Sequence, residues 1–189
     1  MGLSQIIAKT QGYPLVGSEL SRLVCDLNRS LGADDLFRQQ CDDVTLSFNL
    51  GLDESEKSRR HQIHEVFHRF TAKSMQSIDP QALISIHSFT PVWRGVERAL
   101  EVGILFNRYQ ESAERLLSQL RQRGVRVELN QPYSGFEDGV YSIERHGLAL
   151  DKPYLEIEVR QDLIKTEEGQ LRWGRLLGEV IASGIFSAP

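Results

Sequence analysis

Four short runs dense in apolar and β-branched residues, separated by helix-length segments, constrain this chain more than any other feature. They are 82–89 (Ala-Leu-Ile-Ser-Ile-His-Ser-Phe), 102–106 (Val-Gly-Ile-Leu-Phe), 125–129 (Val-Arg-Val-Glu-Leu) and 154–159 (Tyr-Leu-Glu-Ile-Glu-Val). Strands covered on both faces read this way. A fifth, around 20–27, contains Leu23-Val24-Cys25. Between the runs lie amphipathic patterns. In 109–123, Tyr109, Ala113, Leu116, Leu117 and Leu120 share one face, Glu111 stands four before Arg115, and Gly124 occupies a C-cap position. In 167–182, Trp173, Leu176, Leu177, Val180 and Ile181 repeat with helical spacing after Thr166 as N-cap. A third helix is expected over about 54–77, with Asp53 as N-cap and Glu56 in its first turn. This alternation predicts an α/β fold of three layers, a mostly parallel or mixed sheet with helices on both faces.

No repeat or linker divides the 189 residues, so 1–189 is read as one domain, 40% hydrophobic and long enough to bury a core. A net charge of −4 gives no electrostatic case for nucleic acid or an anionic membrane. No apolar run reaches the ~18 residues of a transmembrane helix, and nothing resembles a signal peptide. Cys25 and Cys41 suit a reducing cytoplasm. A cytoplasmic protein with a small-molecule partner is expected.

Ligands in open α/β sheets gather beyond the carboxyl ends of strands. Here those ends carry Asp26-Leu27-Asn28-Arg29, His87-Ser88-Phe89-Thr90-Pro91, Asn130-Gln131-Pro132-Tyr133-Ser134-Gly135, and Glu156, Glu158 and Arg160. Asp26 and Asn28 suit turns as well as ligands. His87 suits a hydrogen-bonded structural role as well as a metal. Glu156 and Glu158 share one strand face among Leu155, Ile157 and Val159, and buried carboxylates are costly unless paired or used. Arg160 lies on that face as a candidate structural partner.

His64-Glu65-Val66-Phe67-His68 reads literally as H-E-x-x-H, a helical zinc-peptidase pattern with Glu65 as base. His61, His64 and His68 form one stripe, within ~60° on a helical wheel. Ile63, Val66, Phe67 and Phe70 form another and are expected to face the core. Arg69 directly after the second histidine, and the lack of a recognisable third ligand, argue against a peptidase.

Five stretches together resemble the N-formylglutamate amidohydrolase family. They are Ser21–Arg29, Ser85–Val92, Val102–Leu105, Asn130–Gly135 and Glu156–Ile164, in the family's order. His64 and His68 match the histidines of the family's His-x-Pro-Tyr-His helix, and His146 also matches a family position, with a hydrogen bond as its one evident role. The family is similar in fold to zinc carboxypeptidases and to deacylases such as aspartoacylase. The resemblance implies hydrolysis of an N-acyl amino acid, N-formyl-L-glutamate or a related acidic one; N-formyl-L-glutamate would give glutamate and formate, in histidine breakdown. It implies zinc, with His87 as a metal ligand and Glu158 as general base. Asn28 and Arg29 become substrate-binding candidates, with Arg98 and Arg160 for a second carboxylate.

The resemblance also implies two further zinc ligands upstream of Asp26–Arg29. The family's first strand, with its Asp-His-Ala segment, has no counterpart in these residues, and the stretch between Arg29 and Asp53 lacks the family's acidic, glycine-rich loop. Three expectations stand open: Met1 is an internal methionine of a longer protein; the chain is a shortened relative that binds an acidic small molecule without turnover; or the metal site is rebuilt from His87 with His64 and His68.

Overall fold

The computed structural model describes residues 2–41 and 43–186. The described residues form five α-helices: α1 (Leu3–Gln11), α2 (Glu54–Ile78), α3 (Gln110–Gln122), α4 (Tyr141–Leu150) and α5 (Glu167–Ala182). Among the strands, β1 (Gln40–Cys41) with β2 (Val44–Thr45) and β4 (Val92–Trp93) with β5 (Val96–Glu97) are two-residue antiparallel pairs. The main sheet is built from β3 (Leu83–Phe89), β6 (Val102–Leu105), β7 (Val127–Leu129) and β8 (Tyr154–Arg160), in the order β3-β8-β6-β7.

That sheet is mixed. β3 runs parallel to β8, β8 antiparallel to β6, and β6 parallel to β7. The expected caps form: Asp53 accepts the backbone N–H of Glu56 at 2.7 Å, and Thr166 that of Gly169 at 3.1 Å. Helix α4 and the two short hairpins were not foreseen in the sequence.

The period of two along β8 decides the layering. Leu155, Ile157 and Val159 point to one side, where they join Val102 and Ile104 of β6, Ala113, Leu116 and Leu120 of α3, and Trp173, Leu177 and Val180 of α5 in the main core. Tyr154, Glu156 and Glu158 point to the other. There α4 packs on the sheet through Ile143, with Val140, Leu83 and Leu105 around Tyr154. Helices therefore cover both faces. Among the described residues, no helix is long and apolar enough to cross a membrane.

Two expectations are corrected. Residues 20–27 form no strand. The Ser21 hydroxyl accepts the N–H of Leu23 at 3.2 Å, the Ser21 carbonyl accepts that of Val24 at 3.0 Å, and Asp26 Oδ1 accepts that of Asn28 at 3.0 Å. Serine and aspartate oxygens thus capture the donors that a ladder would need, and the segment becomes consecutive turns.

The second concerns α2. His64 and His68 are buried, whereas Ile63, Val66 and Phe70 are 38%, 52% and 62% exposed. The polar stripe faces inward because the neighbouring loop offers it carbonyl oxygens, described below.

Gly103 fixes a further piece of geometry. In β6 it pairs with Glu158, and a Cβ there would collide with the carbonyl oxygen of Gln131. The chain after β7 turns at Asn130 (φ +49°), whose Oδ1 accepts the N–H groups of Phe106 and Gly135, both at 3.0 Å. It then passes directly over Gly103, carrying Tyr133 towards Arg98.

Because the obstruction is backbone, Gly103→Ala is expected to cost about 2 kcal/mol through overpacking. Gly32→Ala, where nothing lies within 4 Å, is expected to stay within about 0.5 kcal/mol of wild type. Urea denaturation of both variants checks this, and equal midpoints would show that the loop over β6 yields freely.

Candidate active site

Parallel pairing of β3 with β8 sets His87 opposite Glu158 and Ser85 opposite Glu156. One ligand atom from each of His87, Glu156 and Glu158 lies within 4.8 Å of the other two. His87 Nε2 is 3.4 Å from Glu156 Oε2. Both glutamates are buried, while 28% of the His87 side chain stays accessible. A cavity of about 310 Å³ opens beside His87, lined also by Arg22, Ser88, Ile86, Leu3, Ser4 and Ile164.

Burial dominates the electrostatics. It raises Glu158 to about 7, against the opposing pull of Arg22, Arg98 and Arg29. It raises Glu156 well above the carboxylate range, helped by the neighbouring Glu158 charge and opposed by hydrogen bonds from Ser85 and Asn28. It lowers His87 to about 4, with Arg22 adding to the effect. Glu156 Oε1 and Glu158 Oε2 are buried without any hydrogen-bond partner among the described residues.

Orphaned, inward-facing carboxylate oxygens beside an unprotonated imidazole are what a divalent cation would satisfy. Imidazole nitrogen and carboxylate oxygen are both zinc donors, so the residues fit that ion.

The remaining sequence candidates separate by their partners. Asn28 supports the cluster: its Nδ2 donates to Glu156 Oε2 at 3.4 Å and to the Gly139 carbonyl at 3.0 Å, and its Oδ1 accepts the N–H of Ser142 at 2.8 Å. Arg29 donates through Nε to both oxygens of Asp35, at 2.9 and 3.0 Å, while its charge still acts on Glu158. Arg98 stands among the rings of Phe89, Trp93 and Tyr133, 5.3–5.6 Å from each centroid, and donates to the Thr90 carbonyl at 3.2 Å.

Arg160, expected to bind a second substrate carboxylate, has its guanidinium engaged within the protein. Its guanidinium donates to both Asp162 oxygens, at 2.7 and 3.1 Å, and to the carbonyls of Arg98, Ala99 and Leu100. It anchors the loop entering β6, and it pairs with neither glutamate.

His64 and His68, expected as less central metal ligands, lie outside the His87–Glu156–Glu158 group. His64 Nε2 donates to the Arg29 carbonyl at 2.8 Å and His68 Nε2 to that of Leu27 at 3.0 Å. Glu65, the base of the zinc-peptidase reading, is exposed, whereas both histidines of that pattern are buried and bonded to backbone carbonyls. His146 does have its expected hydrogen bond, to His68 Nδ1 at 3.0 Å.

Sequence reasoning missed Arg22 as a site residue. It donates to Asp26 Oδ2 at 2.5 Å, lines the cavity and acts on both His87 and Glu158. No spacing rule marked it, because 20–27 is neither helix nor strand. Glu156 was seen to share a face with Glu158 but was not assigned to the metal group.

The class of protein now follows from both fold and residue pattern. Residues 1–165 match the model of the N-formylglutamate amidohydrolase family, and the chain belongs to that family. A gene product of Agrobacterium tumefaciens, known from its crystal structure, superposes with a TM-score of 0.82 at 25% identity, over 96% of this chain and 75% of its own. An N-formylglutamate amidohydrolase from Ralstonia eutropha gives a TM-score of 0.48 at 17% identity, over 67% of this chain and 50% of its own. No curated protein matches the chain.

The pKa shifts predict opposing pH limbs in metal-free protein. Glu158, raised from 4.5 to about 7, binds its proton more tightly when folded. Its contribution is therefore complete below pH 4.5 and is lost as pH rises through 7. His87, lowered from 6.5 to about 4, contributes above pH 6.5 and loses that contribution as pH falls towards 4. With chelator present, Glu158→Gln is expected to be more stable than wild type at pH 8, by at most about 3 kcal/mol, and nearly equal at pH 4. Urea denaturation at both pH values checks it, and parallel stability curves would contradict the burial cost.

Proposed function

We propose that this chain hydrolyses the amide bond of an acidic N-acyl amino acid, with N-formyl-L-glutamate the first substrate to test. The observation that carries the reading is the His87–Glu156–Glu158 group, whose two buried glutamates each keep an orphaned carboxylate oxygen. Membership of the amidohydrolase family supports it. His87 and Glu156 would hold a divalent ion, zinc by donor type. When bound there, such an ion supplies a Lewis acid for the acyl carbonyl and makes water more acidic.

Glu158 is the general base. A carboxyl whose pKa lies near 7 exchanges protons efficiently at neutral pH, and burial puts Glu158 there. Its carboxylate takes a proton from water as the water oxygen attacks the acyl carbon. It returns that proton to the amide nitrogen as the C–N bond breaks, leaving the free amino acid and, for a formyl substrate, formate.

The cationic surroundings support an acidic substrate. Arg98 offers a planar fork for a carboxylate, and its aromatic neighbours restrict its orientation. Arg29 and Asn28 are proposed to border the substrate, and Arg22 lines the cavity beside His87. The reaction suits amino-acid breakdown in the cytoplasm, with no role for nucleic acid or membrane.

Formate release from N-formyl-L-glutamate, followed with zinc added, tests the proposal. Glu158→Gln is expected to lower kcat at least about a hundredfold, and Arg98→Ala to raise KM for N-formyl-L-glutamate more than for N-formyl-L-alanine. No formate from wild type, or a Glu158→Gln variant with unchanged kcat, would overturn it. Binding of N-formyl-L-glutamate without turnover would favour a non-catalytic carboxylate-binding relative.

A further inference from the structure

Three buried histidines stand outside the proposed catalytic group, and their partners are unusual. His64 and His68, one turn apart on α2, do not reach the His87 cluster. They grip the backbone carbonyls on either side of one residue: Leu27 O and Arg29 O flank Asn28. Carbonyl oxygen only accepts, so Nε2 carries the proton in both rings. His68 Nδ1 then offers a lone pair, and His146 Nε2 donates to it across 3.0 Å. Burial favours this neutral arrangement, lowering His68 to about 3 and His146 to about 4. The two rings therefore meet edge to edge, their planes 25° apart and their centroids separated by 5.2 Å.

Helix α4 closes the arrangement. It carries His146, and its Ser142 N–H donates to Asn28 Oδ1. With its Oδ1 and both flanking carbonyls occupied, Asn28 has little freedom to rotate. Its Nδ2 is directed to Gly139 O and Glu156 Oε2.

We infer that His64, His68 and His146 form a positioning network that fixes Asn28 against Glu156. They are positioning residues rather than metal ligands, acting through a backbone clamp on the 27–29 segment. His64 Nδ1 is buried with no hydrogen-bond partner among the described residues, so Nε2 alone ties this ring to the 27–29 segment. Consequences for activity rest on the proposed role of Glu156, but the positioning itself does not.

The test reads Asn28 directly, by solvent exchange of its side-chain amide protons in 15N-labelled, metal-free protein, assigned by their absence in Asn28→Ala. Wild type is expected to protect these protons. His68→Leu should speed their exchange about tenfold or more, and His68→Gln, which can still donate to Leu27 O, should restore protection. Unchanged exchange in a folded His68→Leu overturns the inference. Should that variant fail to fold, His146→Phe provides the reading: faster Asn28 exchange supports the network, and unchanged exchange rejects it.

Calorimetry with zinc alone adds a second measure. His68→Leu is expected to weaken binding about tenfold, with no further loss in an Asn28→Ala background, because the effect passes through Asn28. Additive losses overturn the inference. A wild type that takes up no zinc, yet loses Asn28 protection in His68→Leu, would remove the metal reading and leave the positioning network standing.

Discussion

Two carboxylates, Glu156 and Glu158, lie side by side in a strand that is otherwise core, and the surrounding structure is arranged about them. An ionised carboxylate taken out of water is costly by several kcal/mol unless charge or hydrogen bonds compensate it. Here compensation is partial. Three arginines oppose the upward shift of Glu158, Asn28 and Ser85 that of Glu156, and one oxygen of each glutamate keeps no partner. A fold that tolerates this cost retains a proton acceptor near neutral pH beside an unprotonated imidazole. That combination is suited to chemistry more than to stability.

Asn28 connects the fold to this pair. Its side chain joins the start of α4, through Ser142, to β8, through Glu156, and its neighbouring carbonyls are held by α2. A strand over 20–27 would have spent those backbone groups on a ladder. Consecutive turns leave the Leu27 and Arg29 carbonyls free to meet imidazoles, and bring Arg22 towards the cavity beside His87. On the opposite flank, a glycine at 103 lets the loop from β7 cross β6 and reach Arg98 with Tyr133. The site is thus assembled from segments far apart in sequence, and each has its own local reason for being there.

Local signals in the sequence survived folding well. The main-sheet strands and the capped helices follow from apolar runs, from Asp53 and Thr166, and from the i, i+3, i+4 stripe of α5. His87 and Glu158 were legible as strand-end polar residues, and their meeting required only that β3 and β8 pair. The failures share one cause, since periodicity reports amphipathicity and not the partner. In α2 it marked Ile63, Val66 and Phe70 as the core side, yet the adjacent loop presents carbonyls, so the imidazole side is buried instead. Leu23-Val24-Cys25 looked like a strand because its apolar content hides the Ser21 and Asp26 oxygens that bend it. Arg160 shares a face with the glutamates by count, but at the last position of β8 Asp162 and three carbonyls capture it.

The central claim is that His87, Glu156 and Glu158 form a metal-dependent hydrolytic centre. Crystals of the protein soaked in zinc, with anomalous differences collected on both sides of the zinc edge, test it most directly. The account predicts a single strong peak within coordination distance of His87 Nε2 and a Glu156 oxygen, about 2.0–2.2 Å from each. A peak at His64 and His68 instead, or none at the glutamate pair, would contradict it.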